Sequence, residues 1–314
     1  MNYGTKLRGA FPLGPYIEGM TGLEFVRAGF DSFPHWDRPM LCQEKLDGWS
    51  GVVCRGSGDC YWDNGWKQYK ALQNMLPMFN EFLPPQSILV GEVGYGTEYE
   101  TKWALQNGFH RFIAYDVLMW DGVSLLDAPN IDRFEFLEHT WSNSKFFYDY
   151  IRRIDLAFMV PLNGNAVHNR ELAWQNFVTT CELGREGLVL KELDGKYVIK
   201  GDSKSMYKIK KFVTKDYVCL GFTKSVATTY IEQGLMVSSM ECGLFVDGKM
   251  QHVTQTAGFD FEWRKKFSEH PEQYIGCVVE LGGFEVFKTG AMRHSSFLRF
   301  RKDVPIESCT LYTV

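Results

Sequence analysis

Apolar positions change their period along this chain, and each change marks an element. Between 67 and 83 (KQYKALQNMLPMFNEFL) the apolar side chains Leu72, Met75, Leu76, Phe79 and Phe82 recur at helical spacing, with Pro77 as a kink or break. Ile131–Thr140 and Arg170–Leu183 also read as helices, and a short one falls near Leu23–Ala28 in an otherwise irregular lead-in. Leu41–Val53 reads as strand, turn and strand. Ser87–Val93, Arg111–Met119 and Gly187–Leu193 are compact apolar runs of strand length. Beyond residue 212 the texture becomes short and β-rich, with runs at Tyr217–Phe222, Leu244–Val246, Cys277–Leu281 and Glu285–Phe287. Asp247-Gly248 and Gly282-Gly283 supply turn signals, and one helical insert, Glu262–Phe267, interrupts.

These elements predict an α+β chain of two domains, 1–212 and 213–314. The first has antiparallel sheets with flanking helices. The second suits a small β-barrel of the OB-fold type. A length of 314 residues agrees with two domains. The hydrophobic fraction of 45% allows a core without disulfides or structural metal. Nine Trp and an aromatic share of 15% are explained mostly by core packing. No apolar run approaches the roughly 20 residues that span a bilayer, so no membrane partner is expected. The eight Cys include no C-x-x-C pair, which argues against a zinc site. Without a secretory leader they read as buried, reduced thiols of a cytoplasmic protein, and a monomer is expected.

The net charge of −4 does not announce a nucleic-acid partner. Such a partner would need local basic patches. One exists: seven Lys stand at 196, 200, 204, 208, 210, 211 and 215.

The chemistry centres on Lys45-Leu46-Asp47-Gly48. Residues two apart on a strand share a face, so Lys45 and Asp47 project together, and Gly48 lets the backbone turn beside them. A lysine amine is nucleophilic only when deprotonated, which calls for burial or neighbouring cations. Lys208 and Lys210 supply cations on one face if their segment is extended. The same ammonium groups would neutralise a phosphate under attack. Glu92 and Glu186 lie at strand ends, where carboxylates suit Mg²⁺. Tyr115 offers a flat surface to a purine ring. Singly, each signal is weak: K-x-D-G is most often a surface turn, and a lysine run a solvated face.

Their order is what discriminates. Lys45-Leu46-Asp47-Gly48, Leu89-Val90-Gly91-Glu92, Phe112–Leu118 with Trp120-Asp121-Gly122, Glu186–Lys191 and Tyr207–Lys211 resemble, in sequence, five motifs of the covalent nucleotidyltransferases: DNA ligases, RNA ligases and capping enzymes. Gly276–Leu281, Gly290–His294 and Phe297–Asp303 look like the OB domain of ATP-dependent DNA ligases, extending the resemblance from about 39 to 305. The compact two-domain build is similar to that of ligases from viruses and some bacteria.

The resemblance implies an adenylation domain plus an OB domain, ATP as AMP donor, Mg²⁺ or Mn²⁺, and nicked duplex DNA, possibly RNA-containing, as partner. By it Lys45 becomes the AMP carrier, Asp47 orients the site and Gln43 reads the adenine edge. Tyr115 stacks on adenine, Glu92 contacts the ribose or, with Glu186, the metal, and Lys208 and Lys210 grip the α-phosphate. Lys191 belongs to the fourth motif, although simple alternation puts it opposite Glu186 unless Gly187 carries a bulge. Arg301, in the sixth motif, is expected at the nucleotide. Arg55, Lys196, Lys200, Lys204, Arg293 and Arg299 are expected at DNA. Three departures stand out: Ser50 where DNA ligases commonly have Arg, Trp62-Asp63-Asn64-Gly65 where Ser-Arg-x-Gly is usual, and Val304 where a Lys usually closes the last motif.

Overall fold

The computed structural model describes residues 9–10, 22–63, 70–95, 98–143, 152–183, 185–199, 203–225, 232 and 234–311. The chain divides into two compact units, one of residues 1–13 and 29–210, the other of 14–28 and 211–314.

The strands of the first unit are β1 (Gly9–Ala10), β2 (Pro39–Lys45), β3 (Trp49–Arg55), β4 (Cys60–Trp62), β5 (Ser87–Val93), β6 (His110–Trp120), β7 (Val123–Ser124), β8 (Arg152–Leu156), β9 (Met159–Asn163), β10 (Gly187–Glu192) and β11 (Met206–Lys210). They form two sheets, ordered β1-β11-β10-β2-β9 and β4-β3-β5-β6-β7, with β8 added alongside β6. Pairing is antiparallel except for β1 with β11 and β8 with β6.

Helix α1 (Gly22–Ser32) extends four residues beyond its expected end. The helical stretch expected at 67–83 is divided into α2 (Lys70–Gln73) and α3 (Leu76–Phe82), and its first residues lie outside those described. Pro77 occupies the first turn of α3, where its missing N–H is no loss. Further on come α4 (Glu98–Gln106), α5 (Asn130–Asn143) and α6 (Ala166–Glu182). The apolar stripe of α3 and the inner faces of β3–β6 bury one core, in which Trp62, Phe79 and Phe112 meet edge to face.

Behind β6 lies a charged core. Arg133 of α5 is only 1% exposed and donates to both carboxylate oxygens of Asp116, at 2.7 and 3.2 Å. It also donates to the Ala128 carbonyl and Asn130 Oδ1. A charge this deep is tolerated because a partner carboxylate and further acceptors satisfy it.

The second unit holds β12 (Val213–Lys224), β13 (Val237–Val246), β14 (Lys249–Thr256), β15 (Val278–Gly283), β16 (Glu285–Val286), β17 (Met292–Arg293) and β18 (Ser296–Phe300). Helix α7 (Phe261–Glu269) lies between β14 and β15 and is capped by Asp260. The main sheet runs β14-β13-β12-β15-β18, with β16 and β17 as a separate ribbon. This sheet does not close into a barrel among the described residues. Between its two edges lie an isolated bridge of Gly258 with Ser296 and side-chain hydrogen bonds of Ser295 with Gln255 and Thr256, not a ladder. Closure needs continuous pairing between the edges, and a single bridge does not supply it.

No helix among the described residues is long and apolar enough to cross a membrane.

Replacing Arg133 with Met leaves Asp116 buried without its main partner. The expected loss is about 3–5 kcal/mol of unfolding free energy, read from urea denaturation of the purified chain. An unchanged midpoint would show that the pair is dispensable.

Candidate active site

Register explains how distant motifs meet. Across three neighbouring strands, Lys45 of β2 stands opposite Gly187 of β10, which stands opposite Lys210 of β11. The next same-face rank is Gln43, Val189 and Lys208, and beyond it Leu41, Lys191 and Met206. Directly opposed residues point the same way, so Gln43, Lys45, Lys191, Lys208 and Lys210 share one face of this sheet.

Glu186 precedes the strand and still reaches that face. Its carboxylate bonds Lys45 Nζ at 2.5 Å through one oxygen and Lys210 Nζ through the other. Gly187 makes this possible. Its φ of +140° interrupts the alternation, and a Cβ there would sit 2.0 Å from the Ile209 carbonyl oxygen. Glu186 and Lys191 therefore project to the same side, as the irregularity considered at Gly187 allows.

Glu92 comes from the other sheet. Its Oε1 accepts the backbone N–H of Gly48 at 2.6 Å. Gly48 approaches so closely that a Cβ would lie 2.3 Å from the Val93 carbonyl oxygen and 3.0 Å from Glu92 Cγ. The K-x-D-G turn is thus seated against the end of β5, and a side chain at its fourth position would unseat it.

Electrostatics follow from this crowding. Burial pushes the Glu92 carboxyl up to about 7, with Lys45 and the Gly48 N–H opposing the rise. Burial also raises Glu186, but the two lysines outweigh it and hold the carboxyl below its ordinary value. Lys208 is lowered, first by burial and then by the like charges of Lys210 and Lys45.

Tyr115 is held at both ends. Its hydroxyl lies 3.1 Å from Ser50 Oγ, and its carbonyl accepts from Lys191 Nζ at 3.2 Å. The Lys191 ammonium also sits 5.2 Å from the Tyr115 ring centroid and 3.9 Å from Asp116. Burial lowers the Lys191 pKa to about 8. Ser50, where an Arg was expected, therefore acts on the aromatic side chain. Gln43 is 4% exposed, and its Oε1 is buried without a hydrogen-bond partner among the described residues. Such an orphaned acceptor suits an exocyclic amine on a ligand.

Other expected residues are placed elsewhere. The Arg55 guanidinium donates to the carbonyls of Gly58, Asn80 and Leu83, which ties the β3–β4 turn to the end of α3. Lys196 pairs with Asp127 at the surface and Lys204 is exposed. Lys200 lies outside the described residues. In the second unit Arg299 donates to Glu280 at 2.7 Å, and Arg293 lies 3.7 Å from Glu285. Arg301 is paired with Asp303 at 2.7 Å and faces Asp216.

No group of three or more His, Cys, Asp or Glu suited to a metal occurs among the described residues. The carboxylates at this face are Glu186, whose two oxygens bind Lys45 and Lys210, and Glu92, which accepts the Gly48 N–H.

Residues 86–210 match the model of the ATP dependent DNA ligase domain. The match covers that segment, well under half of the chain, and is a likeness of the segment to that domain. The segment contains Glu92, Tyr115, Glu186, Lys191, Lys208 and Lys210, while Gln43, Lys45 and Asp47 precede it. No curated protein matches the chain by sequence. Among solved structures, "Pmar-Lig_Pre." aligns with a TM-score of 0.68 and 16% identity, covering 84% of this chain and 64% of that one. "Pmar-Lig_PreS3" gives 0.67, 16%, 84% and 63%. A structure described as "DNA binding with a minimal scaffold: Structure-function analysis of Lig E DNA ligases" gives 0.60 and 17%, covering 94% of this chain and 100% of that one. At these identities the likeness is one of fold. The chain spans a little under two thirds of the first two structures.

Glu92 yields a pH prediction. The folded state keeps its proton up to about 7, whereas an ordinary glutamate releases it near 4.5. Between these values the native state binds more protons than the unfolded state, so stability falls as pH rises through the window. A shift of this size corresponds to roughly 3 kcal/mol. Glu92→Gln is expected to flatten the decline in denaturation curves between pH 4.5 and 7. A parallel decline in the variant would place the titration elsewhere.

Proposed function

We propose that this chain is an ATP-dependent polynucleotide ligase that seals 5′-phosphate/3′-OH nicks in duplex DNA through a covalent Lys45–AMP intermediate. The observation that carries the reading is the ion triad of Lys45, Glu186 and Lys210, with Lys208 and Glu92 beside it. A lysine held among other lysines and two carboxylates is an arrangement for handling phosphate.

In the first step the Lys45 amine attacks the α-phosphorus of ATP. An N–P bond forms, the bond to the departing pyrophosphate breaks, and the amine gives up a proton. Lys208 and Lys210 neutralise the equatorial oxygens, the demand that dominates phosphoryl transfer. Tyr115 stacks on the adenine, locked by Ser50 and Lys191, and the orphaned Gln43 acceptor takes its amine. Glu92 faces the ribose. Mg²⁺, held by Glu186 and Glu92 with phosphate oxygens, would add charge neutralisation when bound. In the second step the nick's 5′-phosphate displaces Lys45 from AMP. In the third the 3′-OH attacks that activated phosphate and AMP leaves, with Asp47 orienting the groups.

The second unit is proposed to be an OB fold. Its third strand, β14, is followed by α7, and the pairing order of the five main strands is that of a partly open Greek-key barrel. Binding of DNA is proposed to be salt-dependent, through basic residues such as Lys196 and Lys204. A soluble monomer in the cytoplasm is the setting that this reading implies.

Incubated with radiolabelled ATP and Mg²⁺ and then denatured, the chain should carry a covalent label that a nicked duplex discharges. Lys45→Ala should carry none, and Lys210→Ala should label at least about 100-fold more slowly. Label retained by Lys45→Ala refutes the assignment. A panel of nicks with DNA or RNA on each side tests the acceptor, since A-form and B-form duplexes differ in groove shape and 2′-OH groups. Sealing confined to RNA-containing nicks would replace DNA with an RNA or hybrid junction as substrate.

A further inference from the structure

A cavity of about 140 Å³ borders the K-x-D-G turn. Its walls carry Asp47, Arg111, Arg185 and Phe158, with Leu46 and Ile113 beneath them. Glu44 also lines it, and Arg185 pairs with Glu44 at 2.9 Å.

We propose that this cavity receives the sugar–phosphate backbone of the polynucleotide end to be joined, with Arg111 and Arg185 on phosphate oxygens and Phe158 against the adjoining sugar or base. The assignment rests on the ligase reading above and adds to it where the acceptor strand is held.

Three observations support it. Each guanidinium lies against a carboxylate: Arg111 donates through Nε to Asp155 at 2.6 Å, and Arg185 Nε makes a charge contact with Glu44 at 2.9 Å without hydrogen-bond geometry. Their terminal amino groups have no hydrogen-bond partner among the described residues, which leaves the planar fork for an incoming oxyanion. Phe158 is 67% exposed although the backbone around it is pinned. The Ala157 N–H donates to Ala114 O at 2.7 Å, and the Phe158 carbonyl accepts from the Glu44 N–H at 3.4 Å. An exposed aromatic ring on a hydrogen-bonded backbone, beside two arginines, is the equipment of a single-strand platform. Finally, the cavity is far smaller than the roughly 300 Å³ at which small-molecule pockets begin, so it suits a ribose-phosphate fragment of a longer chain and not a whole free nucleotide. Asp47 borders it two residues from Lys45, which brings a docked strand end beside the AMP carrier.

The test uses the full chain and three variants that keep the local ion pairs or touch none: Phe158→Ala, Arg111→Lys and Arg185→Lys. Each is assayed for self-labelling with radiolabelled ATP and then for single-turnover discharge onto a nicked DNA duplex across a range of duplex and salt concentrations. Labelling is expected to stay within about 3-fold of wild type, while the KM for nicked duplex rises roughly 10-fold or more. The two arginine variants should also show a shallower salt dependence. Wild-type KM and salt dependence in all three variants would overturn the cavity's assignment alone. Variants that fail to label while wild type labels would overturn it too, by placing these residues in the adenylation step. Failure of wild type to label at all would instead overturn the ligase reading, and the assignment with it.

Discussion

The Glu186 carboxylate, bound between Lys45 and Lys210, is the constraint on which the rest of the site depends. It joins the strand that carries the proposed nucleophile to the strand that carries the lysines proposed to face phosphate. Without it three ammonium groups would crowd one sheet face unopposed. The arrangement exists because Gly187 adopts a backbone angle that a side chain would forbid, and because only a hydrogen fits beneath the Ile209 carbonyl. A backbone constraint at one residue thus fixes an electrostatic one at three others.

A second layer steadies the first. Arg133 satisfies Asp116, Lys191 spans Asp116 and the backbone of Tyr115, and Ser50 holds the ring's hydroxyl. These groups are buried or partly buried, so each pairing is worth more than its surface counterpart and its loss costs more. The aromatic surface proposed for adenine therefore has little freedom before any ligand arrives, and pre-organisation of that kind reduces the cost of binding.

The second unit treats its charges differently. Arg299 and Arg301 engage Glu280, Asp216 and Asp303. Arginines that look like a DNA-facing set in the sequence are, within this unit, partners of acids on neighbouring strands. Any phosphate that recruits them competes with carboxylates already in place, which makes that recruitment sensitive to salt and geometry.

The sequence by itself determined the elements and the order of the motifs. Ser87–Val93 is the strand its apolar run predicts, Glu262–Phe267 lies inside α7, and Lys208 and Lys210 share a face because Met206–Lys210 is extended. Local periodicity is enough for such readings, since a strand or helix repeats within a few residues. What only the tertiary structure decided are the pairings between residues far apart in the chain: Lys45 with Glu186, Gly48 with Glu92, Arg133 with Asp116, and Arg55 with three carbonyls. Register decides those, and a shift of one residue would turn every side chain of a strand to its other face. The same reason explains the cavity beside Asp47. Arg111, Arg185 and Phe158 belong to three separate segments with no motif in common. The open edge of the second sheet was equally out of reach, because closure depends on whether two distant strands complete a ladder and not on the strands themselves.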